Sequence, residues 1–380
     1  MNPAVFQGPE NPMVRLDAIK AELRRSGRPI YDFGIGDPLE PMAPFLIQAL
    51  KEAIPTVGQY PRVTGSPVLR EAIAAYFERR FEVAVDPERQ ILPAAGAKEA
   101  IFHLPLCLID PQSERRAVVY PDPGYPIYER GCAFAGGEPH PIVLREDRHF
   151  LLEPEELPEE LLRRTAIFWL SYPHNPTGAV APRSYLERVA EASRRFGFVV
   201  ASDECYADLY FDEPPLSYLQ VTTERAMVIH SLSKRSGMTG MRSGFMAGDA
   251  TLIEALKRFR PAIGTASQDF VQAAAAAAWS DDAHAQTRRE TFAAKRNLLL
   301  PFLSDIGLRV TGSQAGLYLW IEVPGREASE PWALELARRT GVVLQPGVFL
   351  GPGGEGFVRL ALVPTLDDCR EATQAWRKMA

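Results

Sequence analysis

Between residues 166 and 237 the chain repeats one pattern three times. AIFWLSY (166–172) runs into PHNPTG (173–178), FVVAS (198–202) into DECY (203–206), and AMVIH (226–230) into SLSKRSG (231–237). Each apolar run is short, rich in β-formers and cut off by polar or turn residues, which predicts a buried strand. Residues 182–196, between the first two runs, carry helical periodicity with proline in the first turn. Working outward, 117–120 and 243–247 read as further strands and 254–260 as a helix. Strands alternating with helices predict an α/β fold, a mostly parallel sheet with helices on both faces. Residues 284–303 read as a long helix that leaves this core. Segments 318–323, 330–340 and 358–363 then form a smaller α+β unit, which the helix 13–25 joins. The expected division is a large domain over 46–284 and a small one from 1–45 and 285–380.

Composition narrows the function classes. The 380 residues are 46% hydrophobic and 24% charged, ordinary for a globular enzyme and unlike a disordered chain. No apolar run approaches the roughly 18 to 20 residues of a membrane helix. Residues 1–10 show no secretory signal. Lys and Arg total 42 against 48 Asp and Glu, so no basic excess points to nucleic acid. Cys107, Cys132, Cys205 and Cys369 are too scattered for a disulfide framework or a zinc site, and a cytoplasmic location is expected. The six histidines show no HxxxH or HExxH spacing, so no metal is expected. His230 reads as a packed sheet residue.

In open α/β sheets ligands bind beyond the carboxyl ends of the strands. There this chain places Asn175, Asp203, Tyr206, Ser231, Ser233 and Lys234, with Arg235 and Arg242 following. Taken singly each has a bland reading: Asn175 a turn, Asp203 a helix cap, Tyr206 a core residue, Lys234 a surface lysine. Jointly they follow three successive strands, with Asn175, Asp203 and Lys234 spaced by 28 and 31 residues. A lysine at a dry strand end can form an imine with an aldehyde. Pyridoxal phosphate is such an aldehyde. Its pyridine nitrogen needs a buried carboxylate, for which Asp203 is the candidate. Its phenolic oxygen needs donors, which Asn175 and Tyr206 offer. Its phosphate needs hydroxyls, helix-start N–H groups and an arginine. Ser231, Ser233, Arg242 and the turn Gly96-Ala97-Lys98 offer these.

SYPHNPTG, SDECY and SLSKRSGMTGMRSGF resemble the signature segments of the fold-type I, class I/II pyridoxal-phosphate aminotransferases. The likeness runs from YDFGIGDP (31–38) to RLALV (359–363). It implies a PLP-dependent transferase fold with a seven-stranded sheet, and a homodimer with active sites at the subunit interface. By motif, Lys234 matches the Schiff-base lysine, Asp203 the partner of the pyridine nitrogen, and Asn175 and Tyr206 the partners of the phenolic oxygen. Tyr125, in DPGYPIY, matches the aromatic residue stacked on the ring. Gly96, Ala97, Lys98, Ser231, Ser233 and Arg242 match the phosphate cup. Tyr60 matches the tyrosine that reaches the phosphate from the other subunit. Arg359 matches the arginine that grips the substrate α-carboxylate, assisted by Asn175 and the Gly36 backbone. From the residues alone, Arg359 could equally be an ion-paired structural arginine.

The resemblance implies amino-group transfer between glutamate/2-oxoglutarate and an amino acid. HSLSKRSG, SDECYADLYFDEPP and RLALVPTLDDCREA are similar to succinyldiaminopimelate transaminases of lysine biosynthesis. GMTGMR departs from the Asn-Pro-type loop expected of that subgroup. Aspartate or another dicarboxylic amino acid is the alternative substrate, and C–S lysis the alternative reaction. Arg15, Arg62 and Arg235 are candidates for holding further carboxylates. A nicotinamide site is a weaker rival: residues 351–356 match GxGxxG but precede a strand instead of opening a helix, and they read as a loop.

Overall fold

The computed structural model describes Val5 and residues 13–263 and 266–377. A seven-stranded sheet runs in the order Ile91–Ala94, Gly244–Gly248, Ala226–Ser231, Val199–Asp203, Thr165–Ser171, Ala117–Asp122, Glu138–Val143. Gly244–Gly248 opposes both of its neighbours, and the other strands all run in one direction. The three apolar runs of the sequence are the strands at 165–171, 199–203 and 226–231, displaced by a residue or so from the expected limits.

Alternation along these strands sorts side chains to two faces. Phe168, Leu170, Val200, Val228 and Phe245 enter one core, packed by the helices Pro67–Phe81, Arg183–Phe196 and Asp269–Ser280. Ile167, Trp169, Ala201, Met227 and Ile229 enter the other, packed by Ala97–Leu108, Ile127–Phe134 and Ala250–Ile263. The helix Arg183–Phe196 shows the local logic. Tyr185, Leu186, Val189, Ala190 and Phe196 form its buried stripe, and Gly197, at φ 82°, ends it in the left-handed region that favours glycine.

The helix Ala283–Asp305 leads to a second, four-stranded sheet: Gln345–Pro346, Phe357–Ala361, Tyr318–Glu322, Val310–Gly312. Its apolar core takes Phe292, Leu299 and Phe302 from the long helix and Trp376 from the last one. The helix Met13–Arg25 lays Leu16, Ile19 and Leu23 on Ala337, Val343 and Phe349. The two bodies interlock. Tyr206 and Leu209, just past a large-sheet strand, pack into the smaller core, while Trp320 and Phe357 of the small sheet pack into the larger.

Gly244 shows how tightly the sheet edge meets the first functional helix. It pairs with Ser231 on one side and Ala94 on the other. A Cβ there would lie 2.5 Å from the His230 carbonyl oxygen and 3.3 Å from the Ala97 nitrogen. Gly244→Ala is therefore expected to lower stability by about 1–3 kcal/mol through overpacking. A reduced urea midpoint would show it; an unchanged midpoint would refute the close-packing account.

Candidate active site

Register brings the strand-end residues into one row: Ser171 lies opposite Asp203, and Asp203 opposite Ile229. Beyond the last strand the chain turns at once into the one-turn helix Leu232–Arg235. Ser231 caps this turn, its Oγ accepting from the Ser233 N–H at 3.1 Å. Lys234 projects from it to the Gly36 carbonyl, which accepts from Nζ. Its ammonium pKa falls to about 8. Burial is the main cause; the positive Arg359 and Arg242 add to it, against Asp37 and Cys205. Such an amine is substantially neutral near pH 8 and available as a nucleophile.

Asp203 is buried, and burial raises its carboxyl pKa against several hydrogen bonds. The Tyr128 hydroxyl donates to Oδ2 at 2.8 Å, and the Cys205 N–H to Oδ1 at 3.2 Å. Tyr128 is buried and stacks on Trp169 at 4.7 Å. Behind this row, His230 stacks on Phe245 and pairs with Glu204 at 2.9 Å, so it is a sheet residue as expected. Tyr206 shares a hydrogen bond with Tyr318 (Oη to Oη 2.8 Å), and burial raises its phenol pKa well above the ordinary value. Tyr125 meets Tyr128 edge-on, and burial, then Asp203, raise its phenol pKa.

An anion cradle lies beside this row. Gly96, at φ 89°, begins the helix Ala97–Leu108. That left-handed φ favours glycine, and a Cβ there would stand 2.4 Å from Nη2 of Arg242. The Arg242 guanidinium stands at this helix start and donates to the Thr239 carbonyl at 3.0 Å; separately, the Ser231 hydroxyl donates to the Ser233 hydroxyl at 3.0 Å. Lys98 follows in the first helical turn with its side chain in solvent. Tyr60 is fully exposed and touches none of this.

Arg359 lies across the seam, on the small-sheet strand Phe357–Ala361, and is 5% exposed. Its Nη1 donates to Asn175 Oδ1 at 2.9 Å and its Nη2 to the Gly34 carbonyl at 3.0 Å, with the guanidinium 4.3 Å over the Tyr318 ring. Among the described residues it has no carboxylate within ion-pair distance, and its Nε is buried without a partner. The ion-paired structural alternative is therefore not what the structure shows. Gly36 adjoins the same ring: a Cβ there would meet Tyr318 Oη at 2.4 Å.

One expectation is corrected. Arg235 is no substrate residue. It is 3% exposed and points away from the site, bonded to Asp208 and Asp282 at 2.6 Å each and lying over Tyr76 and Trp279. Arg15 is engaged with Glu330 at 2.7 Å, and Arg62 is exposed. The glycine loop at 351–356 is a turn of short 3-10 segments, as read. Tyr128 and Tyr318 went unnoticed in the sequence. Tyr128 lies three residues after Tyr125, in the first turn of the helix Ile127–Phe134 that Tyr125 precedes, and that spacing was the available signal. Tyr318, in an apolar strand, offered none.

An amine of depressed basicity, a buried carboxylate, paired phenols and a helix start beside Arg242, all at one sheet edge, could hold an aldehyde cofactor bearing a phosphate. The donor set fits pyridoxal phosphate: Asp203 for a ring cation, Gly96 and Arg242 for the phosphate, Lys234 for the aldehyde.

Comparison with known proteins agrees. Residues 28–375 match the model of the family described as aminotransferase class I and II. A curated relative from Desulforudis audaxviator, an LL-diaminopimelate aminotransferase, is 38% identical over 359 residues, covering 92% of this chain and 91% of its own. The crystal structure of an aminotransferase from Neisseria meningitidis superposes with a TM-score of 0.92 at 31% identity, covering 100% of both chains. A probable N-succinyldiaminopimelate aminotransferase from Thermus thermophilus gives 0.89 at 29% identity, over 96% of this chain and 99% of that one. The chain belongs to the class I and II aminotransferase family, whose members are pyridoxal-phosphate-dependent transaminases.

Two outcomes are expected of Lys234. Capture of pyridoxal phosphate by the apoenzyme should accelerate as pH rises through about 8, where the amine loses its proton, and level off above it. Stopped-flow absorbance would show this; a rate still climbing towards pH 10 would contradict it. Lys234→Ala should abolish transamination and the borohydride-stable attachment of cofactor to the chain, and normal turnover by that variant would sink the assignment.

Proposed function

We propose that this chain exchanges an amino group between glutamate/2-oxoglutarate and a long dicarboxylic amino acid of the diaminopimelate type, in lysine biosynthesis. The carrying observation is Arg359, a buried guanidinium held by two neutral oxygens and a ring face, with no acid of its own. A permanently charged planar fork in that setting suits a carboxylate bound through two parallel hydrogen bonds.

In this reading the family's cofactor supplies the aldehyde and the electron sink. Asp203, buried and oriented by Tyr128, stabilises positive charge on the ring nitrogen. Asn175 and Tyr206 would hold the phenolic oxygen, Tyr125 the ring, and Gly96, Ala97, Lys98, Ser231, Ser233 and Arg242 the phosphate. Arg359, with Asn175 and the Gly36 backbone, fixes the α-carboxylate. Lys234 would serve as the amine that takes the proton from the substrate Cα. Asn175, Asp203, Tyr206 and Arg359 are buried, whereas Lys98 and Arg242 are exposed.

The free LL form leads as substrate, because the relative at 38% identity carries that name. The N-succinylated form is the second reading, supported by the Thermus neighbour and by the segments quoted above. We further propose that 46–284 acts as the cofactor domain and 1–45 with 285–380 as the small domain. A second copy would cover exposed apolar side chains of the stretch 35–68, where Ile35, Leu39, Phe45, Ile47, Ile54, Val57, Tyr60 and Val68 are exposed. Among the described residues, eight of the twelve exposed large hydrophobics lie in that stretch, so Tyr60 would reach a partner's phosphate. No helix among the described residues is long and apolar enough to cross a membrane, and a cytoplasmic location suits the reading.

A donor panel tests it. LL-diaminopimelate, its N-succinyl derivative and aspartate are each supplied with 2-oxoglutarate, and glutamate formation is followed. A diaminopimelate donor should exceed aspartate in kcat/KM by about tenfold or more, roughly 1.4 kcal/mol of discrimination. Preference for aspartate would overturn the substrate reading, and failure of every donor to yield glutamate would overturn transfer itself.

A further inference from the structure

The loop GPGGEG at 351–356 has no part in the chemistry above, yet two of its glycines, Gly351 and Gly353, face one contact. A Cβ at Gly351 would lie 2.1 Å from Asp122 Oδ1, and one at Gly353 would lie 2.7 Å from the Asp122 carbonyl oxygen. The Gly353 N–H donates to Asp122 Oδ1 at 2.9 Å, and the Gly124 N–H donates to the Leu350 carbonyl at 2.8 Å. Asp122 is 6% exposed, the last residue of the strand Ala117–Asp122 and three residues before Tyr125. On the other side the loop runs straight into Phe357–Ala361, the strand of Arg359. The Gly356 carbonyl also accepts from the Val323 N–H at 2.9 Å, tying the loop to the end of the strand that carries Tyr318. The contact thus joins the segment holding the ring-facing Tyr125 to the segment holding the carboxylate-facing Arg359.

We propose that Asp122 is a positioning residue: its carboxylate clasps the bare backbone of Gly351 and Gly353 and so sets where Arg359 stands relative to Tyr125, and with it the affinity for substrate carboxylates. The proposal rests on the reading of Arg359 given above. A buried N–H–carboxylate bond is among the stronger hydrogen bonds, and cutting it leaves the Gly353 N–H unpaired. No other residue type satisfies the contact so well. A longer acid overfills a space that already excludes a Cβ at Gly351, whereas an asparagine keeps an acceptor at Oδ1.

The test uses holoenzyme and succinate, a dicarboxylate that cannot react, titrated against the visible band of the bound cofactor. Asp122→Ala and Asp122→Glu should each weaken succinate binding and raise KM for the amino donor by about tenfold or more. The kcat should stay within about threefold and the cofactor band should be unmoved. Asp122→Asn should recover most of the affinity. Unchanged succinate binding in Asp122→Ala would overturn the proposal. So would Asp122→Asn binding as weakly as Asp122→Ala, or kcat and the cofactor band falling together with affinity. If Asp122→Ala does not fold, the contrast of Asp122→Glu with Asp122→Asn decides. Arg359→Lys in the same titration separates the two levels. Wild-type succinate binding there removes the carboxylate reading itself; loss there with none in Asp122→Ala removes only the clasp.

Discussion

Positive charge confined without a matching acid is the constraint on which this site depends. A guanidinium taken out of water costs several kcal/mol unless its hydrogen bonds and charge are both answered. Around Arg359 the hydrogen bonds are largely answered, by Asn175 and Gly34, but the charge is not. Lys234, in the same enclosure, relieves its share by giving up proton affinity, so that its pKa sits near 8. Arginine has no such escape at physiological pH. The remaining charge invites an anion from outside, and in the proposed reading that anion is the α-carboxylate of an amino acid.

The surroundings hold this unbalanced arrangement in place. Asp208 accepts from Tyr76 at 2.9 Å and pairs with both Arg80 and Arg235, so the turn bearing Lys234 is anchored from behind by a buried ionic cluster. Opposed charges hold the Asp208 carboxyl below its usual pKa although burial pushes the other way. Glu204, next to Asp203 but facing the opposite side of the sheet, is satisfied by Ser202, the Tyr218 N–H and His230. Alternation along one strand end therefore gives one carboxylate to the structure and its neighbour to the site.

The sequence was most readable where function is local. Strands at 165–171, 199–203 and 226–231 announce themselves by apolar runs, and whatever follows a parallel strand must emerge at the ligand edge. Asp203, Lys234 and Asn175 could be found in this way. Residues whose placement depends on another part of the chain could not. Tyr318 matters because its ring underlies Arg359, and only tertiary packing states that. Arg235 misled for a related reason. Consecutive helical residues point about 100° apart, so standing beside Lys234 in the chain does not put a side chain beside it in space. Residues 351–356 were readable as a loop, but the contact that crowds Gly351 and Gly353 lies with Asp122, more than two hundred positions earlier.

The interlocked cores divide inheritance within one molecule. Groups suited to the cofactor, Asp203, Lys234, Gly96 and Arg242, all stand on the large sheet or the turns that leave it, whereas Arg359 and Tyr318 stand on the small one. Mutations that drift through the small sheet can reshape which acids are welcomed while the electron-withdrawing machinery remains intact. A lineage built on this plan could change its diet without relearning its chemistry.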